Sequence, residues 1–338
     1  MRSRYGWHGR LAVATAVAAT VGVAAAAPAN AATTVRLSGG TTTLKLDKKT
    51  TKALKRAGFT VSGSTKFKIS GGEIDPANAK GTIDHKSAKL TIKMGKTKVT
   101  LSSITLDTAK GTASAKAGKA TVAFASLKGG KVTRRGFATD VAGTKVSLSK
   151  KGAAALNKAF AVRAFKSGTA LGVAAIAPTT NDVALERGTT TIRFVPQVVQ
   201  ALGAGGVAPS AIAPATLDPA TFTLNVPING GVLDARTLTG RITHDGGLQL
   251  GSIPLSNLEV VIGSPAVLNT RVGAIADLDL AGVQTTVDPA TRAIGATGVI
   301  LRLSQFGATA IGAVAPALAG RLAAGTPIGS GSFTATAR

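Results

Sequence analysis

One pattern occurs twice along this chain, and the repeat constrains the fold more than any other feature. GTTTLKL at Gly40 returns as GTTTIRF at Gly188, and FKISGGEIDPANAKGTIDH (67–85) is matched by VPINGGVLDARTLTGRITH (226–244). KVTLSSITL (98–106) is likewise matched by IPLSNLEVV (253–261). The matches keep their order at offsets of 148 to 159 residues. A period this long predicts two similar domains rather than a solenoid of short repeats.

The first 31 residues predict a secretory signal peptide. Arg2, Arg4 and Arg10 precede an uncharged apolar stretch, 11–27, and residues 29–31 fit a small-residue cleavage site. We therefore expect an exported protein, secreted or held at the cell envelope, that does not span a membrane after signal removal. The two domains are then expected at 32–178 and 179–338, with a linker at 177–188.

The remaining segments predict a mainly β fold. Apolar residues alternate with Lys or Thr in KFKIS, KLTIKM, KVTL and KVSL, as in half-buried strands. Glycine pairs at 71–72, 129–130, 230–231 and 246–247 predict turns, as do Asp-Pro steps at 75, 218 and 288. Short helices are expected at 47–57, 149–160 and 304–322. The predicted fold is two tandem antiparallel β-sandwich or barrel-like domains with a few short helices.

Charge is divided unevenly between the two halves. Residues 32–178 carry 28 Lys and Arg against 6 Asp and Glu, whereas residues 179–338 carry 9 of each. Because both halves share one pattern, the fold itself does not require the positive charge. The first half is expected to be cationic and to attach to an anionic cell-wall polymer or envelope surface. The candidate polyanion-binding residues are Lys66, Lys68, Lys89, Lys93, Lys96 and Lys98. A solvated lysine face that only maintains solubility is the alternative.

Beyond the first 31 residues, the chain has only two histidines, at matching places. They lie in GTIDHKSAKL and GRITHDGGLQL, as His85 and His244. Each half, from its GTTT phrase through the Gly-Gly step and the histidine phrase to a closing GTxxG, resembles the HtaA domain of actinobacterial surface proteins. The resemblance implies an exported all-β domain. In the haem-binding members of that family, a tyrosine ligates the iron and a histidine supports that tyrosine.

The tyrosine of that arrangement has no counterpart here. His85 and His244 match the supporting histidine, and Asp245 keeps the family's His-Asp-Gly order, but the only tyrosine is Tyr5, in the predicted signal peptide. No resident cofactor is therefore expected. Haem, or a haemoprotein, at pockets near His85, His244 and Asp245 remains the alternative function. A hydrogen-bonded histidine at a strand end is the simpler interpretation.

Catalysis is not expected. The chain has no cysteine and no G-x-S-x-G sequence, and one histidine per half cannot supply the three or four ligands of a zinc site. Without Tyr or Trp beyond residue 31, neither base stacking nor specific nucleic-acid binding is expected. The sequence thus predicts an exported, non-catalytic binding or surface protein of two HtaA-like domains.

Overall fold

The computed structural model describes residues 34–271, 273–314, 316 and 322–338. The predicted signal peptide lies outside these residues. Residues 32–338 form one compact unit. Within the described residues, no helix combines the length and the apolar character needed to cross a bilayer.

The first half of this unit forms one curled antiparallel sheet with two helices. Its elements are β1 (Val35–Arg36), β2 (Gly39–Leu46), α1 (Lys48–Arg56), β3 (Phe59–Gly63), β4 (Lys66–Lys68), β5 (Gly71–Ile74), β6 (Gly81–Met94), β7 (Thr97–Asp107), β8 (Thr112–Ala117), β9 (Ala120–Lys128), β10 (Lys131–Arg135), β11 (Ala138–Leu148), α2 (Lys150–Phe160) and β12 (Ala170–Thr179). The sheet order is β1-β5-β6-β7-β8-β9-β11-β12-β2-β4. Strand β4 is at one end of this order and β5 is next to the other end. Because only two residues separate β4 from β5 in the chain, the two ends of the sheet lie close together.

The second half repeats the plan as a closed sheet. Its elements are β13 (Asp182–Phe194), α3 (Pro196–Ala204), β14 (Pro209–Ile212), β15 (Thr216–Asp218), β16 (Thr223–Asp234), β17 (Gly240–His244), β18 (Gly247–Leu250), β19 (Ile253–Ser256), β20 (Glu259–Ile262), β21 (Val267–Thr270), β22 (Gly273–Asp279), β23 (Gln284–Asp288), β24 (Ala293–Leu303), α4 (Gln305–Val314) and β25 (Pro327–Ala337). The order is β13-β25-β24-β22-β21-β20-β17-β16-β15, and β13 also pairs with β16, which closes the ring. Strands β14, β18 and β19 form a separate small sheet.

The mainly β prediction is confirmed, and local side-chain chemistry explains where two of the helices start. Asp47 Oδ1 accepts a hydrogen bond from the Thr50 amide at the start of α1. Ser149 Oγ accepts one from the Gly152 amide at the start of α2. Each satisfies an amide that the first helical turn leaves without a partner. Of the helix expected over 304–322, the structure describes α4 over Gln305–Val314, which Ser304 caps in the same way.

Two of the glycine pairs predicted as turns lie inside strands instead. Gly72 is in β5 and Gly231 is in β16, with φ angles of 115° and 135°. A Cβ atom at Gly72 would lie 2.2 Å from the carbonyl oxygen of Thr82, and one at Gly231 would lie 2.3 Å from that of Arg241. Glycine is required there because the neighbouring strand approaches too closely for a side chain. The pair 129–130 does join two strands, β9 and β10, as predicted.

The segment expected as a linker is almost entirely strand. Residues 177–179 complete β12 and residues 182–188 begin β13, so only Thr180 and Asn181 lie between the two sheets. Arg36 on β1 donates a hydrogen bond through Nε to Oδ2 of Asp182 at 2.9 Å. Its backbone amide donates to the same oxygen. This ion pair joins the first strand of one sheet to the first strand of the other.

The buried side chains form four clusters, each drawn mainly from one half, although Ala184 of β13 belongs to the main first-half cluster and Phe137 packs against a second-half cluster. One first-half cluster fills the sheet interior around Ile69, Ile83 and Ile176, and a second packs α2 against β3. The second half has its own two clusters, around Val226 and around Leu233. The domain boundary at 178/179 stays a prediction, because residues 32–338 also hold together as one unit.

Candidate functional site

His85 bridges three strands inside the first sheet. The residue lies on β6 and is 1 % exposed. Its Nε2 is 2.8 Å from Oγ1 of Thr42 on β2, and its Nδ1 is 3.2 Å from the carbonyl oxygen of Ile104 on β7. The ring of Phe67 packs edge-on against the imidazole. Both nitrogens are therefore occupied by contacts within the protein.

His244 has the same arrangement in the second sheet. Its Nε2 is 2.6 Å from Oγ1 of Thr190 on β13, and its Nδ1 is 2.9 Å from the carbonyl oxygen of Leu258, just before β20. Thr42 and Thr190 come from the matching GTTT phrases. The two histidines thus share their hydrogen-bonding partners as well as their sequence context.

These contacts determine the tautomer of each ring. A carbonyl oxygen can only accept, so Nδ1 carries the proton and donates it. In the neutral ring Nε2 then accepts a hydrogen bond from the threonine hydroxyl. Burial in an apolar interior lowers the pKa of His85 and His244 below the ordinary value of 6.5. Both rings are held neutral, which suits a structural bridge between strands.

The first half contains an apolar cavity of about 350 Å³ beside His85. Aliphatic and phenylalanine side chains line most of it, and α1 and α2 contribute Leu54 and Leu156. The exposed residues Thr51, Lys98 and Gly118 also line it, so the cavity reaches the surface. This volume lies at the lower end of the range found for small-molecule sites, about 300–1,000 Å³.

The second half fills the corresponding space. The cavity between its sheet and helices is only about 80 Å³. Leu248, Leu255 and Leu268 are buried there and occupy the interior. His244 does not line this smaller cavity. The two copies therefore share the histidine bridge but not the open interior.

Asp245 hydrogen-bonds to Asn229 rather than to the ring of its neighbour His244, on which it acts only through its charge. Its Oδ1 accepts a hydrogen bond from Nδ2 of Asn229, and Oδ1 of Asn229 in turn accepts one from Thr243 Oγ1. Asp245 thereby joins β16 to the end of β17. Among the described residues no group of three or more His, Cys, Asp or Glu side chains could hold a metal ion.

Four of the six candidate lysines lie together on one hairpin. Lys89 and Lys93 lie on β6, Lys98 on β7 and Lys96 in the turn between these strands. We call these four residues the hairpin lysines. All four are exposed, and Lys93 lies directly opposite Lys98 in the strand register. Like charges at opposite positions destabilise a sheet, so this pair has a folding cost.

The surroundings of the hairpin contain no compensating acid. No Asp or Glu occurs from His85 to Leu106, or from Thr108 to Thr139. Lys116 on β8 lies opposite Ser102 of β7 and extends the cationic surface. Among the described lysines, only Lys110 forms an ion pair, with Asp107. The hairpin lysines are therefore free to meet an external anion.

Lys66 and Lys68 lie apart from this hairpin in the strand pairing. They are exposed on β4, opposite Thr43 and Thr41 of β2. Lysines also lie on the outer faces of other strands and along α1, so positive charge is not confined to one side. The hairpin lysines are the candidates that lie together on two paired strands and the turn between them.

Sequence reasoning missed three residues of the cavity. Thr42 escaped notice because its histidine partner is 43 residues away. Thr144 on β11 lines the cavity, and its buried Oγ1 has no hydrogen-bond partner among the described residues. Ala113 on β8 also lines it. Only the strand register could have identified these residues, because each is an ordinary strand residue in the sequence.

Comparisons with known proteins show a distant structural likeness. No protein-family model and no curated protein matches the chain. A solved structure, the C-terminal domain of HtaA from Corynebacterium glutamicum, is similar at 17 % identity over 46 % of this chain and 99 % of that one, with a TM-score of 0.35. A likeness this remote says nothing about function, and membership of the HtaA family stays a prediction from the sequence.

Proposed function

We propose that this protein is an exported, non-catalytic binding protein whose first half attaches to an anionic polymer of the cell envelope through the hairpin lysines. The observation that carries the proposal is the exposed, acid-free cluster of Lys89, Lys93, Lys96 and Lys98 on one hairpin. Flexible ammonium groups without internal partners bind a polyanion by releasing its condensed counterions.

The cost of Lys93 opposite Lys98 supports a binding role over simple solubility. Solubility requires net charge but not two like charges at facing strand positions. The second half has the same pattern but contains no lysine, since the last lysine of the chain is Lys166. Its basic and acidic residues are equal in number. The repeated fold therefore tolerates the absence of these lysines.

The test is retention on isolated cell walls. Residues 32–338 are mixed with walls at about 0.05 M and about 0.5 M salt, concentrations that bracket strong and weak screening of exposed charge. The variant with all four hairpin lysines changed to Gln is compared with a variant of equal net charge, in which Lys48, Lys49, Lys52 and Lys55 of α1 are changed to Gln. The proposal predicts low-salt retention that the hairpin variant loses and the α1 variant largely keeps. Equal loss in both variants would contradict a specific hairpin site.

Haem at a pocket near His85 or His244 is the second candidate, favoured by the position of His85 on the cavity wall. The residues present do not offer a free axial ligand, because both ring nitrogens are hydrogen-bonded within the protein. Haem ligation would require the His85–Thr42 bond to break, and no tyrosine occurs among the described residues. A haemin titration decides this alternative: a Soret shift that disappears in the His85→Ala, His244→Ala double variant would support it.

A further inference from the structure

We propose that the cavity of the first half binds a small, neutral, largely apolar molecule that carries one hydroxyl or carbonyl oxygen. This inference goes beyond polyanion attachment and does not depend on it. It rests on the shape and lining of the cavity, on one buried hydroxyl without a partner, and on the contrast between the two copies of the fold.

The buried hydroxyl belongs to Thr144. The residue is 4 % exposed and lines the cavity, but its Oγ1 is shielded from the cavity space and has to rotate about χ1 to meet a ligand. A buried polar atom without a hydrogen bond is costly, by about 1–3 kcal/mol, and is uncommon in native proteins. A hydroxyl can donate or accept, so either an alcohol or a carbonyl oxygen would satisfy it.

The second copy replaces this hydroxyl with a hydrocarbon. Thr144 follows Gly143 at a bulge in β11, and Val299 follows Gly298 at the corresponding bulge in β24. Gly143 and Gly298 both have positive φ, 76° and 83°. In the copy that packs its interior, the position is thus apolar and needs no partner.

A second replacement contributes to the difference in volume. Ala113 lies opposite Leu106, two residues after the carbonyl that accepts from His85. Leu268 lies opposite Val260, two residues after the carbonyl that accepts from His244. Ala113 and Leu268 are therefore equivalent, and the small side chain occurs in the copy with the large cavity.

The ligand should be neutral because the inner part of the cavity cannot balance a charge. His85 is neutral there, and the remaining inner lining residues are aliphatic, aromatic, glycine or threonine. A carboxylate beside Thr144 would be buried without a counter-charge. Lys98 reaches the lining only as an exposed residue.

Binding is tested with the neutral fluorescent probe N-phenyl-1-naphthylamine and its displacement by 1-decanol, decane and decanoate. Residues 32–338 contain no Trp or Tyr, so intrinsic fluorescence does not interfere. We expect one probe per chain, displacement by 1-decanol in preference to decane and decanoate, and loss of at least tenfold in affinity in Ala113→Leu. Thr144→Val should weaken the binding of 1-decanol by about three- to tenfold, which corresponds to one net hydrogen bond, and should leave the affinity for decane unchanged. Thr41→Val, at an exposed position of β2, is the matched control and should change nothing.

Three results would overturn the proposal. The first is no saturable probe binding by a folded chain. The second is binding that Ala113→Leu and Thr144→Val leave unchanged, which places the probe elsewhere. The third is a preference for decanoate that salt removes, which indicates capture by surface lysines. Thermal melts by circular dichroism confirm that each variant is folded, and Thr144→Val, which keeps the side-chain shape, tests the site even if Ala113→Leu does not fold.

Discussion

The hydroxyl of Thr190 lies 2.6 Å from Nε2 of His244, and this contact repeats the one between Thr42 and His85 in the other half. In both copies the imidazole joins the strand of the GTTT phrase, β2 or β13, to the paired strands that follow the Gly-Gly step. These contacts explain why the two histidines lie at matching places, because each ring connects strands that are distant in the sequence.

Replacing either histidine should destabilise the protein. His85→Ala or His244→Ala leaves a threonine hydroxyl and a backbone carbonyl buried without partners, at about 1–3 kcal/mol for each group. We expect a loss of about 2–5 kcal/mol in the free energy of unfolding, measured by urea denaturation. Thr133→Ala, at an exposed position of β10, is the control and should change stability by less than about 0.5 kcal/mol. A loss no larger than that of the control would contradict the structural role.

Stability should fall in mild acid because of the same two rings. Burial lowers the pKa of each histidine in the folded state below its ordinary value of 6.5, so the unfolded chain binds protons more readily. The neutral rings contribute in full to the free energy of unfolding above pH 6.5. This contribution is lost as the pH drops below 6.5 through the folded-state pKa. Urea denaturation from pH 7.5 to pH 5 measures this slope. The double variant His85→Gln, His244→Gln should have a flatter profile, and an unchanged slope would argue against neutral buried rings.

Ala113 and Leu268 should respond to substitution in opposite directions. Leu268→Ala opens a cavity in a packed interior and should cost about 2–5 kcal/mol. Ala113→Leu places a side chain into existing space and should raise stability by about 1 kcal/mol, since each buried methylene contributes about 0.8 kcal/mol and some repacking strain offsets this. Thermal melts of both variants measure the difference. A loss of several kcal/mol in Ala113→Leu would mean that the space beside Ala113 is already filled.

The facing lysines should reduce stability in a salt-dependent way. Lys93→Gln removes the repulsion from Lys98 and should stabilise the sheet by a few tenths of a kcal/mol at low salt. The gain should disappear at about 1 M salt, where the screening length is about 3 Å. Lys52→Gln on α1 is the control for general charge. An equal gain from Lys52→Gln would show that net charge, rather than the facing pair, sets the effect.

Local features of the fold could be predicted from the sequence, and long-range features could not. The helix starts at Asp47 and Ser149 were predicted because a helix start depends on a few neighbouring residues. The turns at the Asp-Pro steps were predicted for the same reason, and Asp218 Oδ1 does accept from the amide two residues on. The Gly-Gly steps were misassigned because their positive φ angles arise from contact with a neighbouring strand.

The exact alignment of the two halves also could not be predicted from the sequence. The sequence pairs 98–106 with 253–261, an offset of 155 residues. The structure gives an offset of 154 there, because Ile104 and Leu258 occupy the same place and each follows a residue with positive φ, Ser103 or Asn257. Loops of different length change the offset along the chain. For that reason the equivalence of Ala113 with Leu268, and with it the cavity, could not be found from sequence alone.

The salt dependence of binding to a soluble polyanion tests the central claim most directly. Linear polyphosphate is titrated into residues 32–338 at several salt concentrations, and the logarithm of the association constant is plotted against the logarithm of salt concentration. On single-stranded nucleic acids each phosphate contact contributes about 0.7 to the slope, so changing the four hairpin lysines to Gln should make the slope shallower by about three. The four-lysine variant of α1 should keep nearly the original slope. Identical slopes for the native protein and the hairpin variant would contradict attachment through this hairpin.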